Sequence, residues 1–274
     1  MKIAAAQISC VPGEVETNLR KIVSFAERAK AAGATLVAFP EMADTGYVMS
    51  VIRQAARPWS EGVVPALQEL AKRLSLAIIC GVSERVGGTI YNSQVLIDSS
   101  GQVVGRYRKT HLFCAGSADE KECFTAGNEL QSYDYGEFRL GLSICYDLRF
   151  PEIYRKLATE QAANVFIISS AWPFPRLEHL RVLCQARAIE NQSYLVLANR
   201  VGTDERLTFC GASAIIDPSG AILACASSER EKLVMAELSQ ETLETVRERM
   251  AVFAHRRNDL YGRMAAPESA QAGD

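Results

Sequence analysis

The stretch that indicates the fold most clearly is Phe138-Arg-Leu-Gly-Leu-Ser-Ile-Cys145-Tyr-Asp-Leu-Arg-Phe-Pro-Glu152. The apolar run Phe138–Ile144 predicts a buried strand, and a proline in the first turn predicts a helix over Pro151–Ala158. A buried strand that leads at once into a helix is typical of α/β sheets, in which ligands bind outside the carboxyl ends of the strands. The thiol of Cys145 is therefore expected at such a strand end.

Strand and helix patterns alternate on both sides of this stretch. The other predicted strands are Ile3–Ile8, Thr35–Phe39, Leu76–Val82, Tyr91–Asp98, Val103–Arg108, Val165–Ser169, Tyr194–Ala198, Ala212–Ile216, Ile222–Ala226 and Leu233–Leu238. The other predicted helices are Val15–Ala32, Pro65–Leu74, Glu178–Ile189 and Glu241–Arg249. No linker, repeat or low-complexity tract interrupts them, so we predict one layered α/β domain with a mixed sheet over residues 1–264 and a disordered tail over 265–274.

Composition excludes several classes of protein. The 274 residues are 48% hydrophobic and 23% charged, and the formal net charge is −2, so neither nucleic acid nor an acidic membrane surface is an expected partner. No apolar run approaches the roughly 18–20 residues that a membrane-spanning helix needs. The first residues predict a buried strand rather than a signal peptide, and we expect a cytoplasmic protein.

Eight cysteines raise the question of metal binding. They lie at positions 10, 80, 114, 123, 145, 184, 210 and 225, and no two of them form a C-x-x-C pair. Zinc and iron–sulfur sites usually show close Cys/His pairs, so we expect no metal. Most of these thiols are predicted to be small buried hydrophobes, which leaves the question of which one is chemically active.

Three predicted strand ends carry residues suited to amide hydrolysis. Cys145 is a candidate nucleophile, because backbone N–H groups at a helix start favour a thiolate, and the N–H of Tyr146 could face an oxyanion. Glu41 follows the strand that ends at Pro40 and is a candidate general base. Lys109, at the end of Val103–Arg108, is a candidate for stabilising a thiolate or an oxyanion.

Each residue alone has a simpler explanation. Cys145 could be a structural cysteine, Glu41 a surface or helix-start carboxylate, and Lys109 a solvated basic strand end. Together they supply the nucleophile, the base that becomes an acid, and the oxyanion stabilisation that amide hydrolysis requires. A serine hydrolase is disfavoured because the chain has no Gly-x-Ser-x-Gly elbow, and a Cys–His mechanism would have to recruit His111, His179 or His255.

These blocks resemble a known family. Phe39-Pro40-Glu41, Tyr107-Arg-Lys109-Thr-His-Leu112 and Cys145-Tyr-Asp-Leu-Arg-Phe-Pro-Glu152 are similar, in this order, to the three catalytic blocks of the nitrilase (carbon–nitrogen hydrolase) superfamily. Further similar segments are Ala4–Gln7, Asn18, Ala186–Asn191 and Asn199–Gly202. The resemblance extends from Lys2 to about Leu238.

The resemblance implies a fold and a mechanism. The fold would be a four-layer αββα sandwich with mixed β-sheets, commonly a homodimer or a higher homo-oligomer, with no metal or cofactor. Cys145 would form an acyl-thioester, Glu41 would act as base and then acid, and Lys109 would stabilise the tetrahedral intermediates with the Tyr146 N–H. A fourth catalytic residue would be Glu120, although Glu122 is close enough to leave two candidates.

The residues around Cys145 resemble those of amidases that act on small ω-amides. We therefore predict a small-molecule amide of a carboxylic acid as substrate, with Arg149 and Arg176 as candidates for binding its carboxylate. The candidates for the pocket walls are Tyr47, Tyr146 and Trp172. The alternatives are an N-carbamoyl amidohydrolase and a non-catalytic binding protein on the same fold, and for either arginine the alternative role is a structural ion pair.

Overall fold

The computed structural model describes residues 1–115, 118–204 and 207–261, and it contains every strand and helix predicted above with ends shifted by a few residues. The strands are β1 (Lys2–Gln7), β2 (Leu36–Ala38), β3 (Ala77–Val86), β4 (Thr89–Ile97), β5 (Val103–Arg108), β6 (Cys114–Ala115), β7 (Ala118–Asp119), β8 (Ser132–Tyr135), β9 (Phe138–Ile144), β10 (Val165–Ser170), β11 (Tyr194–Asn199), β12 (Val201–Asp204), β13 (Leu207–Cys210), β14 (Ala214–Ile216), β15 (Ile222–Cys225) and β16 (Lys232–Glu237). The helices are α1 (Val15–Ala31), α2 (Met49–Ala55), α3 (Val64–Leu74), α4 (Pro151–Glu160), α5 (Leu177–Asn191), α6 (Gln240–Arg249) and α7 (Asn258–Tyr261). The expected disordered tail, 265–274, lies outside the described residues.

The elements that the sequence did not indicate are short. Helix α2 has seven residues, of which Ile52 is the buried one, so it shows no apolar periodicity. Two small hairpins are also present, in which β6 pairs with β7 and β12 pairs with β13. Their strands are two to four residues long. Pairing with a neighbouring strand, rather than composition, makes these segments extended.

The longer strands form two six-stranded sheets. The first has the order β16-β1-β2-β3-β4-β5, and the second has the order β15-β14-β11-β10-β9-β8. In each sheet three neighbouring strands are parallel, β1-β2-β3 in one and β9-β10-β11 in the other, and the flanking strands pair antiparallel. Both sheets are therefore mixed, as predicted.

The alternation of side chains along β1 shows how the layers stack. Ile3 and Ala5 belong to the core that the first sheet shares with β9 and β10 of the second, whereas Ala4 and Ala6 pack in a separate core with α1 and α3. Helices α4 and α5 cover the outer face of the second sheet. The layers thus run helix, sheet, sheet, helix, and the predicted αββα sandwich is confirmed.

Strand direction determines where the candidate residues meet. Because β3, β4 and β5 pair antiparallel in turn, β5 runs in the same direction as β2, and their carboxyl ends lie at one edge of the first sheet. β9 and β10 are parallel, so their carboxyl ends also lie together. Glu41, Lys109 and Cys145 each follow one of these ends.

Candidate active site

A buried group of charges lies where the two sheets meet. Lys109 Nζ is 2.8 Å from Glu41 Oε1 and 2.7 Å from Glu120 Oε1, and all three side chains are fully buried. Asn92 Nδ2 also donates to Glu41 Oε1 at 2.6 Å, and Tyr47 Oη donates to Glu120 Oε1 at 2.6 Å. The Lys109 ammonium therefore bridges the Glu41 and Glu120 carboxylates, and each carboxylate accepts a further hydrogen bond from a neutral side chain.

The electrostatics of this group favour a permanently charged lysine. Burial opposes the charge on Lys109, but the nearby Glu120 and Glu41 carboxylates outweigh it and raise the pKa of Lys109 well above its usual value. Burial raises the pKa of Glu120, against the influence of the Lys109 ammonium. The raised pKa favours a cationic Lys109, which suits oxyanion stabilisation.

Cys145 begins a tight turn at the end of β9. Its φ of 47° lies in the left-handed region, and the segment Cys145–Arg149 forms a 3-10 turn that leads into α4. A non-glycine residue with this φ is strained and recurs at functional sites. The predicted sequence of strand, sharp turn and helix is present.

The surroundings of Cys145 favour the protonated thiol. Burial and the Glu41 carboxylate raise its pKa, and Lys109 and the Ser170 hydroxyl only partly oppose them. Desolvation is the largest influence on this pKa, and it opposes the thiolate that a helix start favours. A base has to remove the thiol proton during attack.

Backbone contacts hold Glu41 in place. Glu41 Oε2 accepts a hydrogen bond from the N–H of Ala171, which directly follows β10, at 2.8 Å. Gly81 of β3 lies against the same turn: a Cβ on Gly81 would lie 2.5 Å from Pro40 O and 2.6 Å from Glu41 Cα. Only glycine lets β3 pass this close to the strand end that carries Glu41.

Asp147 joins the Cys145 turn to the strand end that carries Lys109. Its Oδ2 accepts hydrogen bonds from the Tyr107 hydroxyl at 2.8 Å and from the Ile144 N–H at 3.0 Å. Its Oδ1 accepts from the His111 N–H at 3.0 Å, and the His111 ring lies beside it. Thus one fully buried carboxylate fixes the Cys145 turn relative to the β5 end.

A pocket opens above the thiol. It is lined by Tyr47, Phe113, Cys145, Tyr146, Arg149, Ala171, Trp172, Pro173, Arg176 and Leu207. All five residues predicted to bind substrate are among them. Arg149 stacks on Trp172 with its guanidinium carbon 4.7 Å from the ring centroid, and the Trp172 indole N–H donates to the Arg176 carbonyl at 2.9 Å.

Known proteins are similar to this chain in both sequence and fold. The profile of the carbon–nitrogen hydrolase family matches residues 2–248. The chain belongs to the carbon–nitrogen hydrolase family. The resemblance seen in the sequence is thereby confirmed.

Individual relatives are amidases. The chain is 36% identical to the 2-oxoglutaramate amidase of Bacillus subtilis over 94% of this chain and 98% of that protein. It is 35% identical to the deaminated glutathione amidase of Synechocystis sp. over 92% and 97% of the two chains. A glutamate-to-glutamine mutant of the amidase from Nesterenkonia sp. AN1 is 26% identical to this chain and superposes with a TM-score of 0.83 over 95% of both chains. Its structure shows covalent addition of the acetamide moiety of fluoroacetamide at the active site cysteine. The present carbon–nitrogen hydrolase is accordingly an enzyme of the amidase type rather than a non-catalytic protein on the same fold.

The fourth candidate residue of this carbon–nitrogen hydrolase is resolved by burial. Glu120 is fully buried beside Lys109, and its Oε2 accepts the Phe113 N–H at 2.7 Å, whereas Glu122 is exposed. The histidines that a Cys–His mechanism would need have other contacts. The His111 ring stacks on Phe150 at 3.7 Å between centroids, and exposed His179 lies 3.4 Å from Arg149.

Sequence reasoning missed several residues of the hydrolase site. Three of them are buried within the site, namely Asn92, Asp147 and Ser170. A fourth, Asp204, accepts a hydrogen bond from the backbone N–H of Tyr47 at 3.1 Å. The signal for Asp147 was its place two residues after the candidate nucleophile, whereas Asn92 is one of three consecutive polar residues in its strand and does not stand out. Ser170 and Asp204 gave no local signal.

The described part of the chain contains neither a candidate metal site nor a membrane-spanning helix. Within residues 1–115, 118–204 and 207–261, no group of three or more His, Cys, Asp or Glu side chains could hold a metal ion. In the same part of the hydrolase, no helix is long and apolar enough to cross a membrane.

Proposed function

We propose that this enzyme hydrolyses the ω-amide of a small carboxylic acid to the free acid and ammonia through a thioester on Cys145. Glu41 is the general base and then acid, Lys109 and the Tyr146 N–H stabilise the oxyanion, and Glu120 keeps Lys109 charged and oriented. The observation that carries the proposal is the joining of Glu41, Lys109 and Glu120 by hydrogen bonds below a pocket that contains Cys145 and two arginines.

The first half-reaction forms the thioester. The Cys145 sulfur attacks the amide carbon while its proton passes to Glu41, so that no free thiolate has to exist beforehand. Among the described residues, Glu41 Oε1 accepts two hydrogen bonds and Oε2 accepts one, which leaves a lone pair on Oε2 for this proton. The oxyanion forms near Lys109, the carbon–nitrogen bond breaks, and Glu41 returns the proton to the departing nitrogen as ammonia.

The second half-reaction releases the acid. A water molecule attacks the thioester carbon and gives a proton to Glu41, and the second tetrahedral intermediate is stabilised by the same donors. The carbon–sulfur bond then breaks, and the proton on Glu41 passes to the Cys145 sulfur. The enzyme is restored, and the sum is one amide and one water converted to one carboxylic acid and ammonia.

The arginines support a substrate that carries a second, ionised carboxyl group. Within the described residues, neither Arg149 nor Arg176 forms an ion pair with a carboxylate, and both line the pocket. Partial burial lowers the pKa of Arg149, and the nearby charge of Arg176 lowers it further, as one cation does to another. An incoming carboxylate would relieve this repulsion and form a bidentate pair.

The test is ammonia release from paired substrates. Glutaric acid monoamide and its 2-oxo analogue carry the carboxylate, and butyramide does not. We expect release from the first two to stop in Cys145→Ala. In Arg149→Met, KM for the carboxylated amides should rise about 10–100-fold, as for loss of a charged hydrogen-bonded partner, with little change for butyramide. Arg20→Gln, an exposed change on α1, is the matched control.

Other outcomes would redirect the proposal. Release from ureido acids in place of ω-amides would keep the mechanism and make the enzyme an N-carbamoyl amidohydrolase. An equal effect of Arg149→Met on carboxylated and neutral amides would remove the carboxylate subsite. Activity of Cys145→Ala equal to wild type would contradict the thioester mechanism.

We also propose a cytoplasmic homodimer. The family resemblance supports this assembly, and Val182 and Ile189 of α5 are 61% and 50% exposed, which is the kind of apolar surface that a second copy would cover. Light scattering should give twice the chain mass of 30.0 kDa. A mass of one chain at micromolar concentration would contradict the dimer.

A further inference from the structure

The end of β10 contributes to the same site but was not among the three predicted strand ends. In the parallel pair of β9 and β10, Ser169 lies opposite Ile144, so the next residues along, Ser170 and Cys145, are neighbours at the carboxyl ends of the two strands. The residue after Ser170 is Ala171, whose N–H donates to Glu41. The end of β10 therefore touches both the candidate base and the surroundings of the candidate nucleophile.

The Ser170 hydroxyl has no structural task. The side chain is fully buried, and among the described residues its Oγ makes no hydrogen bond of ordinary geometry. A buried hydroxyl without a partner is a cost to folding. The serines on either side of the site differ in this respect, because Ser169 Oγ donates to the Phe39 carbonyl at 2.7 Å and Ser143 Oγ lies 2.8 Å from the Tyr154 hydroxyl.

The backbone holds Ser170 in this position. Ser170 lies opposite Asn199 in β11, and its carbonyl accepts the Arg200 N–H at 2.9 Å. The backbone at this strand end is therefore fixed, and the Ser170 side chain that it carries is fully buried. A buried hydroxyl that lacks a well-formed hydrogen bond and lies next to a candidate nucleophile indicates an interaction that becomes strong only during the reaction.

We propose that Ser170 donates a hydrogen bond to the Cys145 sulfur as negative charge develops on it, and thereby stabilises the thiolate-like state. The inference rests on the proposed role of Cys145 as nucleophile. Charge on the sulfur appears when the thiol proton moves to Glu41, and again when the thioester carbon–sulfur bond breaks. A hydroxyl donor is worth most at these two moments, because hydrogen bonds to ionised acceptors are the stronger ones.

The pKa of the thiol agrees with this geometry. Burial and the Glu41 carboxylate raise the pKa of Cys145, and Ser170 acts in the opposite direction, together with the Lys109 ammonium. Lys109 is already engaged by two carboxylates at 2.7 and 2.8 Å. Among the described residues, Ser170 is thus a side-chain donor beside the sulfur that no other partner engages.

The test compares Ser170→Ala with Ser143→Ala. Each variant is treated with iodoacetamide from pH 6 to 9, alkylation of Cys145 is followed by peptide mass spectrometry, and the thermal midpoint is recorded. Ser170→Ala should slow alkylation of Cys145 about tenfold at every pH and lower kcat, with an unchanged or higher midpoint, since a costly orphan hydroxyl is removed. Ser143→Ala should lower the midpoint and leave alkylation at the wild-type rate. Ser170→Thr, which keeps the hydroxyl, should recover part of the rate.

The outcomes separate this inference from the proposed substrate. Alkylation of Cys145 in Ser170→Ala at the wild-type rate would overturn it, and so would a midpoint that falls as far as that of Ser143→Ala. Alkylation needs no amide substrate, so slower alkylation together with no ammonia from any ω-amide would support Ser170 and overturn the substrate proposal.

Discussion

The charged side chain of Lys109 is completely buried. A lone ammonium in such a place would lose its proton, but two carboxylates within 2.8 Å keep it charged. The reverse is also true, because Glu41 and Glu120 rely on the same ammonium. Each buried charge in this cluster is therefore compensated by the others. If one of the three side chains is removed, the remaining charges stay buried without compensation, and the folded state is destabilised.

Replacing Lys109 with methionine should destabilise the protein more than a loss of packing would. Two carboxylates would remain buried without a cation, so the free energy of unfolding at neutral pH should fall by about 3–5 kcal/mol. The double variant Lys109→Met/Glu120→Gln should be the more stable of the two, because one buried charge is gone. Urea denaturation measures both, and activity should be absent from both. Equal stability of the single and double variants would show that Glu120 is not charged.

Tyr47 acts on the charge of Glu120 as well as lining the pocket. Its hydroxyl donates to Glu120 Oε1, and this bond lowers the pKa of Glu120 against the larger rise that burial causes. The Tyr47 backbone is anchored to Asp204, which in turn pairs with Arg200 inside the protein. The phenol therefore has little freedom to move away from the carboxylate.

Tyr47→Phe should shift the acidic side of the activity profile. Without the phenol hydrogen bond the ionised form of Glu120 is less favoured, so its pKa rises and activity on the acidic side is lost at a higher pH than in wild type. The measurement is kcat/KM against pH, with Tyr135→Phe as control because the Tyr135 hydroxyl contacts the distant Thr35 carbonyl. A profile that moves to lower pH, or does not move, would show that Glu120 ionisation is not required.

At the scale of elements, four strand ends make the site. β2, β5, β9 and β10 lead to Glu41, Lys109, Cys145 and Ala171 respectively. Strands place side chains more rigidly than loops do, because they are hydrogen-bonded to their neighbours: β2, β9 and β10 pair on both sides, and β5 pairs with β4. Activity should therefore depend on how closely the strands pack beside these ends, even where no functional side chain is involved.

Gly81→Ala tests this dependence. The new methyl group would overlap Pro40 O and Glu41 Cα, so the turn has to shift and carry Glu41 with it. A displacement of about 1 Å at a catalytic group costs about 100-fold in kcat, and we expect a loss of that order. Gly88→Ala is the control, since nothing lies within 4 Å of its added methyl group. Steady-state kinetics measure both variants, and unchanged kcat in Gly81→Ala would mean that the turn can adapt.

At the scale of the molecule, the two sheets share one core. Side chains of β1, β2 and β3 belong to the same apolar cluster as those of β9, β10 and β11. Residues of the candidate site come from both sheets, so the site exists only when both are folded and packed together. This arrangement predicts one cooperative unit, in agreement with the single domain predicted for 1–264.

The two tryptophans allow the cooperative unfolding of the two sheets to be tested. Trp59 packs on the outer side of the first sheet, and Trp172 lies at the pocket in the core shared with the second. Trp172→Phe leaves one reporter, and Trp59→Phe leaves the other. In each variant we expect the fluorescence change in urea to coincide with the loss of far-ultraviolet circular dichroism. A fluorescence midpoint that precedes the circular dichroism midpoint in either variant would show that the sheets unfold separately.

The sequence by itself determined the layered fold and three of the strand ends. Period-two and period-3.6 patterns are local, so they can be read from neighbouring residues. Cys145, Glu41 and Lys109 could also be proposed from the sequence, since each lies just beyond a predicted strand and the three together supply the functional groups that amide hydrolysis needs. Glu120 could be narrowed only to a pair with Glu122, because both are short-range neighbours of the same chemical type.

The tertiary structure alone decided which of these groups meet and how they are charged. Lys109 and Glu41 are 68 residues apart in sequence, and only the packing of strands brings them to 2.8 Å. Asn92 and Ser170 acquire meaning from the same packing, since a polar residue in a strand is unremarkable until its neighbours are known. The protonated thiol of Cys145 was also beyond the sequence, because a pKa is set by burial and by the distance to other charges, which the order of residues does not specify.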